Sequence, residues 1–122
     1  MDGTTVERRR YSRCALKGQV SGRIGFRSVS PLDLSLGGVQ IEHFQIVRPG
    51  TTTFLTLFFP NTEVTLKCAV ARSAADRPVI QDDGEREIIY RTGLEFLSTT
   101  EDVRRVIGAY VSAACPPTSQ FL

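Results

Sequence analysis

The chain has 122 residues, 41% hydrophobic and 23% charged, enough for one domain with one core and too few for two ordinary domains. A net charge of +2 and a pI near 8.6 fall short of the strongly basic balance that marks nucleic-acid binding on bulk electrostatics. No apolar run reaches the roughly 18–20 residues of a membrane-spanning helix and the first residues lack a signal-peptide core, so a cytoplasmic protein without membrane insertion is expected.

The first segment, ERRRYSR at residues 7–13, places Arg8, Arg9, Arg10 and Arg13 within six consecutive positions, ahead of any hydrophobic pattern. Residues 1–13 read as a flexible basic arm. From residue 14 the pattern changes to short β-like segments. CALKGQV (14–20) favours a short strand, because Gly18 and Gly22 exclude a good helix. GRIGFRSVSPLDLS follows with Ile24, Phe26 and Val29, then Leu32 and Leu34 at period two, with Pro31 suited to an edge or a bulge. VQIEH sets Val39 and Ile41 on one face and Gln40 and Glu42 on the other.

A Pro-Gly turn opens the next strand, where Leu55, Leu57 and Phe59 share one face and Phe54, Thr56 and Phe58 the other, both largely buried. Pro60-Asn61 makes a tight connection to a hairpin partner with Val64, Leu66, Cys68 and Val70 inward. Residues 75–87, with Pro78, Gly84 and the acidic run DDGERE, read as an exposed loop. The strand EIIYRTGLEFL then aligns Ile88, Tyr90, Thr92, Leu94 and Phe96 on one face. Val103, Val106, Ile107, Tyr110, Val111 and Ala114 follow the spacing of an amphipathic helix, opened by a capping box from Ser98 with Glu101 or Thr99 with Asp102. Residues 115–122 form a tail, and residues 14–114 a single folded unit of about six strands and one helix, an antiparallel barrel or sandwich.

Catalytic and metal chemistry find little support. Cys14, Cys68 and Cys115 are widely spaced, form no C-x-x-C pair and read as reduced structural thiols. His43, the sole histidine, reads as a loop or edge residue without an orienting partner. No paired catalytic carboxylates, nucleophile with base, or metal cluster is visible, so neither an enzyme nor a cofactor is expected.

Two motifs remain. DLSLGG (33–38) sets Asp33 and Ser35 two apart, on one face of an extended strand, with Gly37 and Gly38 where the chain turns or lets a ligand near its backbone. Alone, this segment reads first as a serine or aspartate turn closing a hairpin. Arg9 and Arg13 form R-x-x-x-R about twenty residues earlier, and Asp33, Ser35 and Gly38 complete D-x-S-x-x-G. Together, on one short β-rich chain with a final helix, they resemble the PilZ domain family over nearly the whole chain.

That resemblance implies a six-stranded antiparallel β-barrel with one C-terminal helix packed against it, binding the bacterial second messenger cyclic di-GMP. Arg9 and Arg13 would contact phosphates and the guanine O6/N7 edge. Asp33 would accept from guanine N1–H and the exocyclic amine, with Ser35 and the backbone near Gly38 completing the pocket. Arg8, just before the motif, favours two ligands per protomer; Arg10 and Gly37 are additional candidates. The chemistry agrees, since a guanidinium fork fits two acceptors and a carboxylate fits guanine's opposite edge. The resemblance further implies a stand-alone receptor that orders its arginine arm on binding and signals to an effector protein in motility or biofilm regulation. The alternative is a PilZ-fold motility or pilus module that binds no nucleotide. Two departures from the plainest pattern are the long acidic connection at 75–87 and the lack of a tryptophan in CAVARSA.

Overall fold

The computed structural model describes residues 14–16 and 18–114. The basic arm and the tail expected at 1–13 and 115–122 lie outside the described residues.

Among the described residues, seven strands and one helix follow in order: β1 (Cys14–Ala15), β2 (Ser21–Ile24), β3 (Arg27–Leu34), β4 (Gly38–His43), β5 (Thr52–Phe58), β6 (Glu63–Ile80), β7 (Arg86–Ser98) and α1 (Glu101–Ala114). All pairings are antiparallel. The sheet runs β1-β3-β2-β5-β6-β7-β4, and a further β3–β4 pairing closes β2 to β7 into a six-stranded barrel. β1 is an extra strand, placing Cys14 opposite Leu34 and Ala15 opposite Asp33.

Period-two alternation fills the barrel. Val39 and Ile41 of β4, Leu55 and Leu57 of β5, Val64, Leu66, Cys68 and Val70 of β6, and Leu94 of β7 are buried, as expected from the sequence. β3 departs from strict alternation because its register shifts between Pro31 and Asp33. That bulge lets Pro31 and Leu34 both face inward, although they are three apart, and leaves Asp33 on the outer surface. The helix covers the core with Ile107, fully buried, while the Tyr110 hydroxyl donates to Gln19 Oε1 at 2.7 Å and its ring meets Phe59 at 5.2 Å.

Several sequence expectations are corrected. Phe26, grouped with the apolar positions Ile24 and Val29, is fully exposed, because Gly25, at φ +62°, makes a tight turn with it between β2 and β3. Phe54 is likewise 60% exposed, so the second face of β5 is only partly buried. The supposed loop at 75–87 is mostly strand, because β6 and β7 stay paired as far as Ile80 opposite Arg86, leaving only 81–85 as turn. Pro78 is tolerated there because, among the described residues, this part of β6 has no strand on its other side. The helix cap is Thr100, whose Oγ1 accepts from Val103 N at 3.2 Å, rather than Ser98 or Thr99. Cys14 is disulfide-bonded rather than reduced; sequence spacing carries no record of which sulfurs meet in space. Cys68 is a free, buried thiol.

His43 is also more embedded than its polar neighbourhood suggests, being 4% exposed at the end of β4. Its Nε2 lies 2.6 Å from Thr92 Oγ1, which in turn lies 2.7 Å from Ser73 Oγ, and its Nδ1 accepts from Gln45 N at 3.3 Å. Burial lowers its pKa, so the neutral ring is favoured.

Candidate functional site

The outward positions of β3, β4, β7 and β6 form a shallow wall beside the N-terminal turn of α1. A cavity of about 530 Å³ lies against it, lined by Asp33, Ser35, Gly37, Gly38 and Gln40 on one side, Arg72, Gly93 and Glu95 in the middle, and Ser98, Thr99 and Arg104 on the other. The D-x-S-x-x-G segment thus supplies one continuous side. Arg8, Arg9, Arg10 and Arg13 lie outside the described residues.

Each residue of that segment is positioned by a local cause. The bulge after Pro31 turns Asp33 outward, opposite Gln40. Ser35 sits in the β3–β4 turn and organises it: its N–H donates to Gly38 O at 3.0 Å and its Oγ accepts from Gly37 N at 3.1 Å. The hairpin-turn reading of this segment therefore holds at Ser35, whose hydroxyl nonetheless lines the cavity. Gly37 O accepts from Phe96 N at 3.0 Å, which fastens the turn to β7. Gly38 is required by space: a Cβ there would approach Leu94 O closer than 3.0 Å, a separation that real Cβ atoms do not show. Gly38 therefore lets β4 press against β7 at the cavity edge.

The sequence reading missed the middle and far side. Arg72 follows a second bulge, between Val70 and Arg72, and lies over Gly93, whose missing Cβ would stand 3.4 Å from Arg72 Cγ and 3.6 Å from Cζ. Glycine within a strand marks such close approach, and Gly93 in TGLEF was the signal available. Arg104, in the first turns of α1, has no counterpart in any motif. Among the described lining residues Asp33 and Glu95 are offset by Arg72 and Arg104, so this part of the site is close to neutral. Among the described residues no cluster of His, Cys, Asp or Glu could hold a metal, and no helix is long and apolar enough to cross a membrane.

A small antiparallel barrel with a helix at its side thus carries a polar cavity on its outer wall. The sequence profile described as PilZ domain matches residues 7–113, and the chain belongs to that family. No curated protein matches it. Among solved structures it is similar to the PilZ domain with c-di-GMP of YcgR from Escherichia coli, at 18% identity and a TM-score of 0.67, covering 88% of this chain and 91% of that one. It is also similar to the MrkH-c-di-GMP complex of K. pneumonia (18% identity, TM-score 0.64, covering 84% of this chain and 50% of that one). A third is the Bacillus subtilis inhibitor of motility MotI/DgrA (16% identity, TM-score 0.64, covering 84% and 48%). The chain spans about half the length of these last two. These likenesses establish the closed six-stranded barrel with its extra strand and C-terminal helix as the PilZ fold.

Proposed function

We propose that this chain is a receptor for cyclic di-GMP, taken up in the cavity beside Asp33, Ser35, Gly37 and Gly38. The observation that carries the reading is the assembly of the whole D-x-S-x-x-G segment along one side of an outer-wall cavity in a chain of the PilZ family. The two similar structures described with c-di-GMP support it. Asp33 would hold guanine's N1–H and exocyclic amine, and Ser35 with the backbone at Gly38 would close the edge of the pocket.

The near-neutral described lining gives the arm its role. A dianionic ligand needs more cation than Arg72 and Arg104 provide against Asp33 and Glu95, and Arg9 and Arg13, with Arg8 and Arg10 beside them, would supply it. Ordering the arm costs conformational entropy, so its guanidinium contacts must exceed that cost before affinity appears. The ordered arm, ligand and barrel would then form the surface that an effector protein reads, in a cytoplasmic signalling role such as motility or biofilm control, without catalysis or a cofactor.

Isothermal titration with cyclic di-GMP, with GTP and a short single-stranded oligonucleotide as controls, tests this. Saturable binding near micromolar, about −8 kcal/mol, is expected, and the inflection decides between one ligand and the two that Arg8 favours. Arg13→Ala or Asp33→Ala should remove most of the heat while the protein stays folded. No heat with the dinucleotide would overturn the reading in favour of a nucleotide-free interaction module; heat with the oligonucleotide alone would make it a nucleic-acid binder.

A further inference from the structure

β6 and β7 run on past the barrel. β5 pairs β6 no further than Thr52 opposite Ala69, and β4 pairs β7 no further than His43 opposite Tyr90. Residues 77–80 and 86–89 are thus a two-stranded ribbon with no third strand among the described residues, about 13 Å long at roughly 3.3 Å per residue. Such ribbons are marginal in water unless something covers a face. The outer-face root is held: Arg77 donates to Glu42 at 2.8 Å and to Asp76 at 2.6 Å, and Arg91 donates to Glu42 at 3.2 Å. The other face continues the barrel interior through Thr92 and Tyr90, and it carries Pro78 opposite Ile88 and Ile80 opposite Arg86. Ile80 is 72% and Ile88 40% exposed. Beyond them the turn carries Asp82, Asp83 and Glu85, with Arg86 and Glu87 opening β7.

The barrel rim at the same end has the opposite charge. A second cavity, of about 200 Å³, joins Ile24, Val47 and Thr92, and so places the β2–β3 turn, the β4–β5 loop and the ribbon root side by side. The turn and loop present Phe26, Phe44 and Ile46, all exposed, with Arg27 and Arg48 exposed beside them. One end of the molecule therefore carries an apolar ribbon with an acidic tip and an apolar rim with basic edges, both exposed among the described residues.

We propose that this end is a self-association surface on which a second copy of the chain sits. The two copies meet end to end about a two-fold axis. Each ribbon lays Ile80 and Ile88 on the partner copy's aromatic rim, and its acidic tip faces the rim's arginines. The occupant is a second copy because both complementary halves belong to one chain, as a two-fold interface requires, and each copy satisfies both halves of the other. A foreign basic protein would match the ribbon and leave the rim's cations facing cations. Contact is through side-chain faces rather than strand addition, since Pro78 and the bulges at Val70/Arg72 and Ala75/Arg77 spoil the free edge of β6. The cavity on the outer wall stays open, so this inference stands independently of the nucleotide reading.

Sedimentation equilibrium of the full chain tests it, with far-UV circular dichroism confirming that each variant is folded. Twice the 13.5 kDa chain mass is expected. Ile80→Glu and Phe26→Glu should each raise the dissociation constant by at least about tenfold. The deciding pair is Asp82→Lys/Asp83→Lys against Arg27→Glu/Arg48→Glu. Each double variant alone should be monomeric, with lysines meeting arginines or acids meeting glutamates, and an equimolar mixture should recover the dimer mass because both contacts are again matched. If either hydrophobic variant fails to fold, this exchange still decides. A single-chain mass for the wild type at all concentrations overturns the proposal, as does a dimer that these substitutions leave intact or a mixture that fails to associate.

Discussion

Replacing Gly38 by alanine probes the coupling between fold and site most directly. The added Cβ meets Leu94 O, a backbone atom, and stands 3.4 Å from Glu95 Cα, so no side chain can rotate away to admit it. β4 must separate from β7 at its first pair, Gly38 opposite Glu95. The neighbouring hydrogen bonds, Phe96 N to Gly37 O and Ser35 N to Gly38 O, both 3.0 Å, lengthen or break. Two backbone bonds at about 1 kcal/mol each, with a further ~1 kcal/mol of overpacking strain, give a loss of about 3 kcal/mol. For a chain of this length that lowers Tm by about 12 °C. Gly93→Ala is the internal control. Its Cβ would stand 3.4 Å from Arg72 Cγ, a flexible side chain, so stability should change by less than ~1 kcal/mol while the arginine is displaced from the cavity floor. Thermal melts by circular dichroism on both variants, without ligand, measure the difference. Equal melting temperatures for Gly38→Ala and wild type would refute the claim that close strand approach, rather than turn conformation, fixes this glycine.

Three further outcomes follow from the titrating groups. The Arg77 hydrogen bond holds Glu42 below its ordinary pKa of 4.5, so its contribution is present above that pH and is lost as pH falls through the lower folded value. Because Arg77 and Arg91 are 48% and 43% exposed, Glu42→Gln should cost no more than about 1 kcal/mol at pH 7, less in high salt, and should flatten the acid limb of a Tm–pH curve. His43 is held neutral by burial, its pKa lowered from 6.5, so stability is full above 6.5 and falls as acid charges the ring in the unfolded chain first. His43→Gln should remove that slope between pH 6.5 and the folded value, read by urea unfolding at stepped pH. Burial pushes the Cys68 thiol up to about 12, so alkylation of Cys68 by iodoacetamide at pH 8, followed by peptide mass mapping, should proceed only at the rate of unfolding; prompt labelling of the native protein would contradict its placement.

The sequence by itself determined the alternating strands, the amphipathic helix and the family. Those are local signals: Leu55 with Leu57, Val64 to Val70, and Val103 to Ala114 repeat at the periods of their own elements, and D-x-S-x-x-G is contiguous. It also placed Asp33, Ser35, Gly37 and Gly38 together, because a hairpin turn keeps sequence neighbours close. Only the tertiary structure decided what depends on distant partners. The bulge that turns Asp33 outward needs β4 to define its register. Arg72 and Arg104 reach the same cavity from a strand and a helix separated by the whole of β7. His43 is buried because Thr92, 49 positions away, closes over it. Residues 75–80, which read as part of a loop, are strand because β7 pairs with them, and backbone pairing tolerates side chains that hydrophobic periodicity cannot recognise.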